Sequence, residues 1–220
     1  MTIESIGREL TDVIKKQAAD YIEVHLEESQ ACQIGYRGPE LESVSRSSSV
    51  GGNVRAMVKG GWGFVSFNDL NDLPGRVRTA IEQARFVGKG ESKLAEVEPV
   101  VDTAASIDKN PAVLSLAGKK QKLDEYNQVI WSTPELQTSV IGYGDGYKKT
   151  VFLSSLGSFI VQERVDITLR LTAIAARNGD VQQAGLSVGS RGDFAEVGGL
   201  HKDVERTAKH AVALLSAPHV

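Results

Sequence analysis

The stretch from Leu41 to Asn68, LESVSRSSSVGGNVRAMVKGGWGFVSFN, constrains the fold more than any other part of the chain. After the paired glycines Gly51 and Gly52, the residues Val54, Ala56 and Val58 alternate with Asn53, Arg55 and Lys59, the period of a half-buried strand. Lys59-Gly60-Gly61 offers the positive-φ positions of a tight turn, and Trp62 to Phe67 returns as an aromatic and β-branched strand. The hairpin ends before Pro74: Asp72 as N-cap and Pro74 in the first turn, where no donor is missed, start a helix.

The rest of the chain falls into place around this hairpin. Ile3, Ile6, Leu10, Val13 and Ile14 share one face of an N-terminal helix. Ile22, Val24 and Leu26 alternate with Glu23, His25 and Glu27 in a strand that starts at Tyr21 and continues through Ala31 to Tyr36, and Gly38-Pro39 turns into Leu41. Leu73, Val77, Ile81 and Ala84 stripe a helix from Leu73 to Val87. Residues 88–110 carry no sustained period and read as a surface linker, with a short extended piece expected at 97–101.

Asn110-Pro111 then predicts the start of a third helix, with Val113, Leu116, Lys120, Leu123, Asn127 and Ile130 on its stripe and Lys119, Lys122, Asp124 and Glu125 mostly facing water. The period returns to two in strands over 136–143 and 148–154, joined by a turn at Gly144-Asp145-Gly146. From Phe159 to Ala175 apolar and polar residues alternate, with a bulge or bend expected at Glu163 that divides the run into two strands. Asn178-Gly179 is a type I′ turn signal leading to Val181–Val188, and Leu200, Val204, Ala208, Ala211 and Leu215 stripe a closing helix.

This order predicts an α+β fold of antiparallel sheets with helices packed on them. Helix, strands, glycine-marked hairpin and helix occur in residues 1–88 and again in 111–220, which reads as an internal duplication of an α-β(n)-α unit with 89–110 as linker. The formal charge of −3, with 25 basic and 28 acidic residues interspersed, argues against nucleic acid or an anionic membrane as partner. The opening residues lack the layout of a signal peptide, and the single cysteine, Cys32, fits a reducing compartment, so a cytoplasmic location is expected.

Few residues carry a chemical signature. His25, His201, His210 and His219 include no pair spaced for a helical metal site. Cys32 alternates with Ile34 and Tyr36 as a core residue would. Gly185-Leu186-Ser187-Val188-Gly189 matches a hydrolase elbow in letters, but its context is a hairpin strand, whereas the elbow needs a sharp turn into a helix. Gly142-Tyr143-Gly144-Asp145-Gly146 lacks the spacing of a nucleotide loop and reads as a β-turn.

The ordered set Tyr21-Ile22-Glu23-Val24, Leu41-Glu42-Ser43-Val44, Gly52-Asn53-Val54-Arg55-Ala56-Met57-Val58, Gly61-Trp62-Gly63-Phe64 and Ser66 to Leu70 resembles the N-terminal domain of the TldD/PmbA family. The resemblance extends to the last helix and Ser216-Ala217-Pro218, and Gly61-Trp62-Gly63-Phe64 is closer to the TldD branch. It implies a zinc metallopeptidase acting on small peptides, also known as a modulator of DNA gyrase, whose zinc is held by a His-Glu-x-x-x-His helix in a C-terminal domain. No such motif occurs in these 220 residues, so the resemblance carries no catalytic or metal residue onto this chain and no cofactor of its own is expected. The implied partners are a peptide substrate and a TldE/PmbA-like subunit or a second copy.

Two roles stand open for a chain of this kind: the substrate- and partner-binding region of such a peptidase, or a stand-alone, non-catalytic binding or scaffold module. In the first, a peptide held extended as an added strand needs an edge and shallow pockets. The hairpin Asn53–Phe67 is the candidate wall, with its glycines allowing close backbone approach and Arg55, Trp62 and Phe64 as candidate substrate-binding residues. Trp62 and Phe64 filling the core beneath the first helix is the competing reading.

Overall fold

The structure, a computed structural model, describes residues 2–104, 107 and 110–218. In chain order the elements are α1 (Ile3–Lys15), β1 (Tyr21–Arg37), β2 (Glu40–Val58), β3 (Gly61–Phe67), α2 (Leu73–Val87), β4 (Val101–Thr103), α3 (Leu116–Trp131), β5 (Leu136–Ser154), β6 (Phe159–Arg177), β7 (Asp180–Ser190) and α4 (His201–Leu214). The fold is α+β, as expected. The strands pair in the order β3-β2-β1-β5-β6, with β4 and β7 both joined to β6. β7 runs antiparallel to β6, but β4 runs parallel to it.

The chain divides into two compact units, the first made of residues 1–29, 48–106 and 148–163, the second of residues 30–47, 107–147 and 164–220. The expected stretches 1–88 and 111–220 divide the sequence, and each compact unit draws on both of them. The physical reason is strand length: β1, β2, β5 and β6 have 17 to 19 residues each, and every one of them contributes to both units.

In the first unit, α1 and α2 share a core with Ile22, Val24 and Leu26 of β1, Val54, Ala56 and Val58 of β2, and Val151 and Leu153 of β5. Thr2 starts α1 with a reciprocal capping box to Ser5. The β2–β3 hairpin closes on a two-residue turn, Lys59-Gly60, with φ of 47° and 74°, in the type I′ pattern that matches strand twist. Asp72 caps α2 through the Gly75 amide. The linker holds β4 at 101–103, slightly beyond the expected extended piece, and Ser92, Leu94, Ala95, Glu96, Val97 and Pro99 line a groove with Met57 and Leu156. Residues 105, 106, 108 and 109 of the expected linker lie outside the described residues, as does His219.

Glu163 does not divide β6. The strand keeps its two-residue alternation through all 19 residues, and Glu163 stays in phase with Val161 and Val165 because the Lys149 ammonium meets its carboxylate at 3.2 Å, with Glu4 on the other side of that ammonium at 3.3 Å. A charge at an inward position is tolerated when a partner waits there.

The second unit builds its core from α3, α4 and the facing residues of β1, β5 and β6, among them Cys32, Ile34, Leu123, Tyr126, Ile130, Ile141, Ile167 and Leu169. Asn178-Gly179 forms the β6–β7 turn, with φ of 51° and 88°. Three expectations fail here. Pro111 starts only a short 3-10 turn, Pro111–Val113, and α3 begins at Leu116, where the Ser115 hydroxyl accepts the Gly118 amide. β5 runs unbroken from Leu136 to Ser154, with no turn at Gly144-Asp145-Gly146. Lys119 does not face water.

The last two corrections have one cause. Lys119 and Asp145 side chains are 3% and 2% exposed and meet at 2.6 Å, and the Tyr143 hydroxyl donates to the same Asp145 oxygen at 2.6 Å. Asp145 faces inward because its partner lies there, so the strand has no reason to turn. Burial, and then the neighbouring carboxylate, raises the Tyr143 phenol far above its ordinary pKa, so it remains a hydrogen-bond donor.

Breaking this pair should be costly, since one partner alone leaves a buried charge. Lys119→Met is expected to destabilise the fold by about 3–5 kcal/mol, while Lys119→Met combined with Asp145→Asn, which keeps an acceptor for Tyr143, should recover most of that loss. Urea denaturation of the three proteins measures both values.

Candidate functional site

The aromatic shelf forms because glycines alternate with aromatics along β3. A β-carbon on Gly63 would lie 1.9 Å from the Ala80 carbonyl of α2, and one on Gly61 would lie 2.5 Å from the Ala84 carbonyl. The helix backbone therefore sits directly on the Gly61/Gly63 side of the strand. Strand alternation sends Trp62 and Phe64 to the opposite face, where they are 38% and 55% exposed. They do not fill the core beneath α1. The close backbone approach that these glycines permit is made by α2, so it is not free for a ligand.

Arg55 lies directly across from Phe64 in the hairpin, and Met57 across from Trp62. The Arg55 guanidinium stacks on the Trp62 ring at 4.6 Å and forms an ion pair with Glu23 of β1 at 3.0 Å. Glu23 is only 9% exposed, and the Tyr21 hydroxyl donates to its other oxygen at 2.8 Å. The Tyr21 ring meets Trp62 edge-on at 6.1 Å. Burial and the hydrogen bond to Glu23 raise the Tyr21 phenol, which keeps it protonated. His25 completes the row, 3.8 Å from Glu23 and tilted against the Phe152 ring at 4.8 Å.

The three expected residues thus come together with two partners the sequence reading passed over, Tyr21 and Glu23. Their chemistry is fixed by pairing. Arg55 already has a carboxylate, so it serves to hold the indole in place more than to capture an incoming acid. The shelf offers apolar and aromatic contact at Trp62 and Phe64. Next to it, His25, Glu27, Ser49, Gly51, Gly52, Asn53, Phe67, Asn68 and Thr150 line an open groove of about 390 Å³. The free edge of β3 is partly closed, since the Phe64 amide donates to Gln83 of α2 at 3.1 Å.

Among the described residues no three His, Cys, Asp or Glu side chains gather in one place. Glu23 is committed to Arg55 and Tyr21, and His201 faces Glu125 at 3.1 Å with Tyr126 against its ring. Cys32 is buried, which raises its thiol, the opposite of an activated nucleophile. Ser187 lies within β7, paired with Arg170 of β6, so no nucleophile elbow exists.

Two family models match the chain: PmbA/TldA metallopeptidase domain 1 over residues 22–87, and the PmbA/TldA metallopeptidase central domain over residues 109–215. The chain belongs to the PmbA/TldD family. A metalloprotease of Synechocystis sp. is 33% identical over all of this chain and 49% of its own length, and a metalloprotease of Methanocaldococcus jannaschii is 24% identical over 91% of this chain and 46% of its own. This PmbA/TldD chain therefore spans about half the length of the relatives it matches. Among solved structures, a candidate modulator of DNA gyrase from Thermotoga maritima aligns with a TM-score of 0.75 at 14% identity, over 100% of this chain and 50% of that one. TldE from Thermococcus kodakarensis aligns at 0.66 and 14%, over 96% and 46%. At such identities these two neighbours speak to the fold.

The Glu23 network yields a prediction separate from any ligand. Arg55→Ala leaves a largely buried carboxylate without its cation and should destabilise by roughly 1–3 kcal/mol, and adding Glu23→Gln should return most of that. Guanidinium denaturation of the single and double variants in a Trp131→Phe background, followed by the fluorescence of the remaining Trp62, reports stability and the release of the indole together.

Proposed function

We propose that this chain is the substrate- and partner-binding region of a TldD-like zinc metallopeptidase that acts on small or unfolded peptides in the cytoplasm. The observation that carries the reading is the exposed Trp62/Phe64 pair, held on a rigid strand by the packing of α2 and by the Arg55–Glu23 pair. Such a shelf accepts apolar or aromatic peptide side chains with little demand for sequence, as a broad peptidase requires. The relatives named as metalloproteases support the peptidase class, and the likeness to a TldE structure supports a TldE/PmbA-like subunit, or a second copy, as partner.

The chemistry falls outside these residues. In the family the zinc-bearing His-Glu-x-x-x-His helix belongs to a C-terminal domain, and among the described residues no three His, Cys, Asp or Glu side chains gather to hold a metal. The alternative, a stand-alone non-catalytic binding or scaffold module of the same fold, is favoured by that same lack of donors. The reading frame that follows Val220 separates the two: a His-Glu-x-x-x-His segment there, or in an adjacent gene, selects the peptidase.

In the assembled peptidase, Trp62→Ala with Phe64→Ala should raise KM for unfolded peptides about tenfold, equivalent to ~1.4 kcal/mol, with kcat little changed. Steady-state kinetics decides, and an unaltered KM removes the shelf from substrate binding. The chain purified alone should retain far less than one zinc per molecule after mild chelation, as metal analysis will show, and should cleave no peptide.

A further inference from the structure

We infer that the free edge of β2 between Leu41 and Ser47 pairs with the same strand of a second copy of this chain, antiparallel and centred on Val44. β3 covers β2 only from Gly52 to Val58, so the segment before it has a neighbour, β1, on one side alone. Every residue from Glu40 to Val50 is exposed. The segment has none of the lysines or prolines that commonly blunt such an edge, and Val44 and Leu41 stand 39% and 41% exposed upon it.

The sequence of the edge is complementary to itself in one register. Centring the pair on Val44 sets Glu42 opposite Arg46 twice, Ser43 opposite Ser45 twice, and Val44 opposite Val44, all favourable cross-strand partners. Centring on Arg46 or Glu42 opposes like charges, and centring on Ser43 or Ser45 sets Val44 against a charge. Arg46 has a charge to offer: its guanidinium donates to the Ala112 carbonyl at 2.9 Å and forms no ion pair among the described residues. Glu42 is held by Arg37 at 2.7 Å on a half-exposed side chain, which leaves its second oxygen for the partner's arginine. Continuation of the sheet would satisfy the edge amides and carbonyls of both copies.

This deepens the partner half of the function proposed above and rests on it only for the expectation of a partner. Self-association is read directly, without peptide turnover, so its failure leaves the peptidase reading standing.

The test is sedimentation equilibrium over the micromolar range on the full chain, with hydrogen exchange of residues 41–47 at low and high concentration. Dimerisation that slows exchange in this segment is expected. Glu42→Arg and Arg46→Glu should each weaken it ~tenfold, and the two together should restore it, because only the proposed register exchanges these charges. Val44→Lys should abolish it, and where that variant fails to fold, the charge exchange decides. A monomer at all concentrations, a dimer indifferent to all these changes, or a monomer whose edge is protected only by an added extended peptide overturns the proposal.

Discussion

The contact on which the first unit depends is the seating of α2 on β3 through Gly61, Gly63, Ala80 and Ala84. Both alanines are fully buried, and added β-carbons on the glycines would overlap helix carbonyls. Small residues on both sides let two backbones approach more closely than ordinary side chains allow, so any substitution here must move the whole helix. The same spacing that brings the helix close sends Trp62 and Phe64 the other way. Packing and the candidate site are therefore one pattern, not two: the glycines decide where the aromatics stand.

Much of this fold was legible because its signals are local. Lys59-Gly60 and Asn178-Gly179 specify their turns within two residues, and Thr2, Asp72 and Ser115 cap their helices through amides three residues on. α2 starts and ends where its stripe and caps place it. The misreadings share a different property. Asp145 and Glu163 look like interruptions in an alternating run, and Lys119 looks like a solvated helix residue, since a charge at an inward position costs too much unless it is paired. Their partners lie 26 residues apart for Asp145 and Lys119, across an element boundary, and nothing in the local pattern announces them.

The compact units were hidden for a related reason. Sequence periodicity reports where an element starts and stops, and on that scale the chain does repeat itself. It does not report that a strand of 17 to 19 residues carries enough faces to serve two cores. The change of core partners takes place within β1, β5 and β6, where the alternation itself never changes, while β2 gives its second half to the first core and leaves its first half exposed. A linker such as 88–110 separates stretches of sequence, yet its residues up to 106 belong to the first unit.

The candidate site shows what alternation can and cannot assign. It sorts Tyr21, Glu23 and His25 onto one face of β1 and Arg55 onto one face of β2, but the meeting of these faces depends on the pairing of β1 with β2. Alternation also leaves open which face of β3 the helices cover, and hence whether Trp62 is core or surface. A signal that settles this is present in the sequence: glycine at two alternate positions, Gly61 and Gly63, leaves that side of the first half of the strand without side chains. Such a bare side gains nothing by facing water and much by receiving a helix backbone, so the intervening aromatics must face away from it. By the same logic Gly51 and Gly52, consecutive and not alternate, mark no helix seat. Added β-carbons there would meet the Phe67 carbonyl and the His25 carbonyl, backbone of the neighbouring strands. Alternate glycines identify a seat for a helix, and paired glycines identify a crowded passage within the sheet, which in this protein forms the floor of the groove beside the aromatic shelf.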